Sequence, residues 1–355
     1  MAASRMEITS FERLSTALRL GTPDRVPVVL VAPLHGAKEL GLPIPEYFSR
    51  AENVAEGQLR FVQRVGHDNV DAFFYFGLEA KAFGAEVIFP DNQSPRVGAP
   101  ILRDPSKIDA LEAPDPRKAE PLQEVLRATE ILARMAKGRW LVIGRALGPC
   151  SLPIELMGVE AWLELLLFGD VARRRHVLQV TSRFSTAWAK ALLAAGADII
   201  ALVEPMASST MLIREQASKL VLPVVRRVVR DIRGPVILWS LGAIQPVADL
   251  IPDLGVQAVS TDPTDDLREV KRLVAGRLGV LGGLNDLGML TWTPREAEEE
   301  ARRAIEKGAP GGGFVLSHQY EIPSAIEYDS LTAVVDSARK WGQYPISKGD
   351  TRARQ

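Results

Sequence analysis

Apolar residues along this chain fall into short continuous runs, separated by longer segments with a helical period. The runs are Val26 to Val31, Val70 to Phe76, Trp140 to Ala146, Ala197 to Val203, Pro235 to Ser240, Val256 to Thr261, Leu278 to Gly282 and Gly313 to Ser317. Because they are mostly continuous rather than alternating, they read as parallel strands covered on both faces. The clearest helix starts at Thr293-Pro294-Arg295-Glu296, where threonine caps, proline takes the first position and glutamate the third. On its solvated face, Glu298 with Arg302 and Glu299 with Arg303 are spaced as i,i+4 ion pairs. Thr9 and Glu12 form a second capping box, ahead of the apolar residues Phe11, Leu14, Leu18 and Leu20.

Eight strand-helix alternations predict a single (β/α)₈ TIM barrel over residues 1–355, with strands from about 26 to 317 and an N-terminal helical extension within 1–20. Residues 346–355 read as a loose tail, and a doubly wound open sheet is the alternative architecture. The proline-studded stretch Phe89 to Lys137 reads as an excursion across the barrel mouth that ends in a helix, Pro121 to Ala136. It shows no second core, so no domain boundary is drawn there.

Composition narrows the function. At 355 residues and 46% hydrophobic content the chain can bury a large core. Its 43 Lys+Arg against 44 Asp+Glu leave no global field to hold nucleic acid, so a small-molecule substrate is expected. Cys150 is the only cysteine, which excludes an intrachain disulfide and any metal site needing two cysteines of one chain. With no signal-peptide pattern and no apolar stretch of ~20 residues, a cytoplasmic protein with no membrane partner is expected.

A barrel carries its chemistry at the carboxyl ends of its strands. That rule selects His35, Tyr75, Glu204, Trp239, Asp262, Asn285, His318 and Tyr320. Glu204 follows an apolar run and needs a partner, a metal or water, because unpaired burial is expensive. His318 is either an acid-base group or a histidine bonded to a nearby carbonyl. Asp262 and Asn285 read equally as turn initiators. Arg145, within the third run, is either a cation for a substrate carboxylate or a partner for Glu204. Gly311-Gly312-Gly313 precedes a strand and reads as a tight turn at the barrel bottom, while His67, His176 and Cys150 read as structural.

These residues, in order and spacing, resemble the uroporphyrinogen decarboxylases and the related cobalamin-linked methyltransferases. The marks are Phe11-Glu-Arg-Leu-Ser-Thr-Ala-Leu18 with Asp24-Arg-Val-Pro27, Glu79-Ala-Lys-Ala-Phe-Gly84, Gly148-Pro149, Gly196-Ala-Asp-Ile-Ile200, Pro205-Met-Ala-Ser208, Leu281-Gly-Gly-Leu-Asn285 and Gly313-Phe-Val-Leu-Ser317. The Glu79 to Gly84 and Pro205 to Ser208 stretches look closer to the methyltransferase branch. The resemblance implies a barrel with its cleft at the strand carboxyl ends, often as a homodimer.

The equipment of both branches is altered. Where uroporphyrinogen decarboxylases carry two substrate-binding arginines, this chain has Ala32 and Gly36, and their pyrrole-contacting aspartate falls on Tyr75. The zinc ligands of the thiol methyltransferases fall on Trp239, Leu241 and Tyr320, so that zinc site reads as lost and no tightly bound cofactor is expected. The leading reading is therefore a methyl-transfer enzyme for a small methylated or methoxylated substrate, with a corrinoid protein or a folate as acceptor. In it Glu204 or His318 protonates the leaving group, Tyr320 and Asn285 orient it, and Trp239 forms an apolar wall. This predicts that Glu204 and His318 face one cavity. The alternatives are a cofactor-free decarboxylase or lyase, in which Arg145 holds a carboxylate and His318 supplies a proton, and a non-catalytic binding barrel.

Overall fold

The computed structural model describes residues 8–90 and 93–346. Each of the eight apolar runs contributes a strand: β1 Val28–Val29, β2 Asn69–Asp71, β3 Leu141–Leu147, β4 Ile199–Val203, β5 Val236–Trp239, β6 Ala258–Ser260, β7 Gly279–Gly283 and β8 Phe314–Ser317. All pair in parallel, in the order β1-β8-β7-β6-β5-β4-β3-β2, with helices in between, which gives a near-closed (β/α)₈ barrel. No strand ladder joins β1 to β2. Instead the side chains of Asp68 and Asn69 bridge that seam by accepting from Val28 N at 2.8 Å and Leu30 N at 3.0 Å, while Asn69 Nδ2 donates to Leu30 O at 3.1 Å.

The same aspartate anchors the N-terminal extension. Helix Ser10–Leu18 carries the expected capping box, with Glu12 N on Thr9 Oγ1 and Thr9 N on Glu12 Oε2, and it buries Leu14, Ala17 and Leu18. From its buried face Arg13 reaches Asp68 at 2.8 Å and Asp24 at 2.7 Å, and Arg25 meets Asp68 at 2.9 Å. Two guanidinium groups on one buried carboxylate leave none of the charges unpaired, the condition under which buried ions are tolerated.

Helix Pro294–Gly308 also opens with its capping box. Of the two ion pairs expected on it, Glu299 and Arg303 lie 3.8 Å apart, but Glu298 and Arg302 choose other partners. The helix packs against Tyr328–Trp341, whose Lys340 takes Glu298 at 2.8 Å, and Arg302 turns to Glu306 at 3.2 Å. A tertiary neighbour has displaced a local pair. At the barrel bottom Gly311, Gly312 and Gly313 all have left-handed φ, and Lys271 Nζ bonds the carbonyls of Gly308, Pro310 and Gly312. This is the tight turn expected there.

The proline-rich excursion forms a small antiparallel hairpin, Val87–Ile88 with Arg96–Val97, and a short helix, Pro105–Asp109, before helix Glu120–Ala136. It does reach the mouth, because Ser94 Oγ donates to Glu321, beyond β8, at 2.5 Å. No helix among the described residues is long and apolar enough to cross a membrane. The expected loose tail lies, apart from its first residue, outside the described residues.

Candidate active site

Register decides which side chains can see the lumen, since partners in adjacent parallel strands point to the same side of the sheet. Leu147, Val203 and Trp239 align across β3, β4 and β5, as do Arg145, Ala201 and Ile237, and Asp71 is in register with Ile143. The odd-numbered residues of these strands thus share one face. Contacts identify it as the lumen: Arg145, whose Nε donates to Asp71 Oδ2 of the adjacent β2 at 2.7 Å, reaches past β4 to bring its guanidinium 4.5 Å from the Trp239 ring centroid. The Trp239 indole N–H donates in turn to Gln319 O, beyond β8, at 2.6 Å.

The lumen mouth therefore centres on a buried cation between a carboxylate and aromatic walls. Burial pushes the Asp71 carboxyl up, and Arg145 together with the Phe73 N–H pulls it back. Arg145 is only 8% exposed, and its Nη2, also buried, has no hydrogen-bond partner among the described residues. Glu321, on the loop beyond β8, lies within electrostatic reach of this cation. Burial lifts its carboxyl to about 7, against the opposing effects of the Ser94 hydroxyl and the Arg145 charge. Tyr320 is 44% exposed, with its hydroxyl 3.4 Å from Leu241 O.

Glu204 and His318 lie on the opposite side of the sheet. The residues Ala146, Leu202, Leu238, Val259, Val280 and Phe314 align in one row, and Phe314 packs against Gly308 of a surrounding helix. Glu204 and His318 continue the β4 and β8 members of that outward row. Glu204 accepts from Cys150 N at 2.9 Å and from the Ser151 hydroxyl, and burial lifts its carboxyl to about 7. A Cβ on Gly148 would lie 2.3 Å from its Oε2, so a glycine is required beside it. His318 Nε2 accepts from Val31 N at 2.8 Å, which requires a neutral ring with its proton on Nδ1. That Nδ1 lies 3.1 Å from Asp286 Oδ1 but is out of line for a hydrogen bond.

The two residues thus have separate partners, and the shared cavity expected for them is replaced by separate buried networks. The alternative pairing of Arg145 with Glu204 is replaced by Arg145 with Asp71, because position 204 follows the outward row and 145 the lumen row.

Other expected positions also resolve. His35 lies in helix Pro33–Leu40, with Nε2 2.9 Å from Ile326 O and its ring packed against Phe61 and Tyr328. Burial depresses it to about 4, which leaves it a neutral group of the helix layer rather than of the mouth. Tyr75 packs edge-on to Phe48 and Phe89, and burial, with Glu120 nearby, pushes its phenol up to about 12. Asp262 bonds Thr264 N at 2.9 Å, and Asn285 caps its short helix through Leu287 N and Gly288 N, so both take the turn role. His176 Nε2 meets Leu111 O at 3.0 Å, and His67 packs on Phe61.

The site residues that sequence reasoning missed are Asp71, Asp286, Gln319 and Glu321. Asp71 was detectable as a charge inside an apolar strand run, as Arg145 is. Asp286 gathers the N–H groups of Gln319 and Tyr320 at 3.1 and 2.7 Å and so shapes the β8 loop.

The model of the family described as uroporphyrinogen decarboxylase (URO-D) matches residues 9–341. The chain belongs to this family. Within the URO-D family it is similar to the methylcobamide:CoM methyltransferase MtbA of Methanosarcina acetivorans, 27% identical over 327 residues that cover 87% of this chain and 94% of that protein. It is also similar to the uroporphyrinogen decarboxylase of Thioalkalivibrio sulfidiphilus, 26% identical over 356 residues, covering 93% and 98%. A solved methyltransferase from Methanosarcina mazei shares the fold with a TM-score of 0.84, at 21% identity, covering 94% of this chain and 99% of that one. Homology thus extends to both methyltransferases and decarboxylases, and supports an enzyme.

The substituted URO-D positions are structurally committed. A Cβ on Gly36 would lie 2.1 Å from Tyr47 Oη, which leaves no room for an arginine, and Ala32 is buried. Trp239, Leu241 and Tyr320 do gather at one corner, as the resemblance requires of the zinc positions, but none is a zinc ligand, so the residues present do not fit that metal. Among the described residues no group of three or more His, Cys, Asp or Glu could hold a metal ion.

Proposed function

We propose that this barrel transfers a methyl group from a small methylated or methoxylated substrate to an acceptor, either a corrinoid carried by a partner protein or a folate. The carrying observation is Glu321, a carboxyl at the lumen mouth held at about 7 beside Ser94 and the Arg145 charge. When the methyl carbon leaves oxygen or nitrogen, the bonding pair stays on the heteroatom, which needs a proton to depart well. An acid whose pKa lies near the working pH is best matched to give it. Glu321 delivers that proton from Oε, Trp239 and Phe73 wall the reacting group from water, and Tyr320 orients the leaving atom. The acceptor, when bound, supplies the electron pair that forms the new bond to carbon. His318 and Glu204 act as positioning residues, holding the β1, β3 and β8 loops. Similarity to the Methanosarcina acetivorans enzyme over most of both chains supports methyl transfer, and crowding at Gly36 speaks against an octacarboxylate tetrapyrrole as substrate.

The test is demethylation of a panel of methoxylated and N-methylated small molecules, with chemically reduced cob(I)alamin and with tetrahydrofolate as acceptors. With an active substrate, Glu321→Gln lowers kcat by roughly 10² to 10⁴, and the wild-type rate falls as pH rises through about 7, where the acid loses its proton. Equal rates for the stable variant and the wild type would remove Glu321 from the reaction. Release of CO₂ with the methyl group retained would favour the decarboxylase reading, in which the same Arg145 cation holds the carboxylate.

A further inference from the structure

We propose that the barrel mouth recognises its ligand as a small organic carboxylate, with the anion bound by Arg145. The inference deepens the methyl-transfer reading and takes its site from it. The planar guanidinium fork of Arg145 can hold a carboxylate through two N–H groups. Asp71 takes only Nε, at 2.7 Å. Nη2 is buried, reached by no acceptor among the described residues, and belongs to a side chain whose register points it into the lumen.

Two carboxylates lie near this cation, but Asp71 on β2 engages Nε and Glu321 on the β8 loop is held by the Ser94 hydroxyl, so neither satisfies Nη2. Trp239 and Phe73 present uncharged rings at 4.5 and 5.9 Å from the guanidinium carbon. A buried charged donor left without an acceptor is costly, and an incoming anion removes that cost while gaining a charge-assisted bond. A neutral ether or alcohol of the same shape supplies only the weaker acceptor. The site therefore discriminates by charge more than by size.

Calorimetric titration with two matched pairs of probes tests this: methoxyacetate against 2-methoxyethanol, and 4-methoxybenzoate against 4-methoxybenzyl alcohol. At least one acid is expected to bind the wild type about tenfold or more tighter than its alcohol, the worth of one charge-assisted bond. Replacing Arg145 alone would strand Asp71, so the informative variant is the double change Asp71→Asn with Arg145→Met, which removes the pair together and should abolish the preference. If neither acid outbinds its alcohol, or the folded double variant keeps the preference, the proposal is overturned. If the double variant does not fold, the wild-type comparison decides alone. Acids that bind but yield no methyl transfer would sink the methyl-transfer reading and leave this one standing. Neutral ethers demethylated as efficiently as the acids would do the reverse.

Discussion

Replacing Glu204 by glutamine should alter how stability depends on pH while leaving catalysis nearly untouched. The carboxyl is fully buried, and burial lifts it from 4.5 to about 7 although Ser151 and the N–H of Cys150 favour its ionised form. Below about pH 4.5 it is protonated in folded and unfolded chains alike. Between 4.5 and about 7 the unfolded chain releases the proton while the fold retains it, so stability falls as pH rises, and the loss is complete above about 7. A shift of this size corresponds to roughly 3 kcal/mol. Glu79, buried and also lifted to about 7, contributes a slope of the same sign, so only the difference between wild type and variant isolates Glu204. Glutamine resembles the protonated acid and cannot ionise. Relative to wild type, Glu204→Gln should therefore gain roughly 3 kcal/mol between about pH 4.5 and pH 8, read from urea midpoints at each pH. Because position 204 faces away from the lumen, turnover per folded molecule should stay within a few-fold. A stability difference independent of pH would refute the buried-acid reading, and a catalytic loss exceeding the loss of fold would refute the register argument.

Other substitutions test neighbouring conclusions. His318→Asn should destabilise the fold by roughly 1–3 kcal/mol by leaving the buried Val31 N–H without its acceptor, yet leave the pH profile of turnover unchanged; a changed profile in a stable variant would return His318 to the chemistry. Gly36→Ala should cost about 1–3 kcal/mol in thermal or urea unfolding, because its Cβ meets the buried Tyr47 hydroxyl, and Tyr47→Phe should recover part of the loss. Neutral behaviour of Gly36→Ala would show that this position can accept side chains and would reopen the arginine comparison.

The barrel was legible because its signals are local and repeated. Each apolar run produced its strand, and both capping boxes formed, since continuous burial and end capping depend on residues within a few positions of one another. The ion pair expected between Glu298 and Arg302 failed for the complementary reason. Exposed pairs are worth little, so Lys340, presented by a packed neighbouring helix, could redirect Glu298. The reach of the proline-rich excursion was legible as a location, but its contact through Ser94 to Glu321 joins residues 227 positions apart, and no local pattern encodes it.

The candidate site was harder to read because the rule for finding it names strand ends without naming sides. Glu204 and His318 satisfy that rule as well as Trp239 does, yet side chains alternate across a strand, and a single step in register exchanges lumen for helix layer. Counting from Trp239, whose contacts with Arg145 and Gln319 place it in the lumen, positions 145 and 203 share its side and position 204 does not. The same parity selects Asp71 over Glu204 as the partner of Arg145, although both carboxylates are buried and were available in the sequence. A charge inside a barrel strand therefore informs on the site only when its parity is read together with its position along the strand. By that criterion the lumen-facing ionic pair of Asp71 and Arg145 carries the functional argument, while the outward carboxylate and histidine hold the loops that frame it.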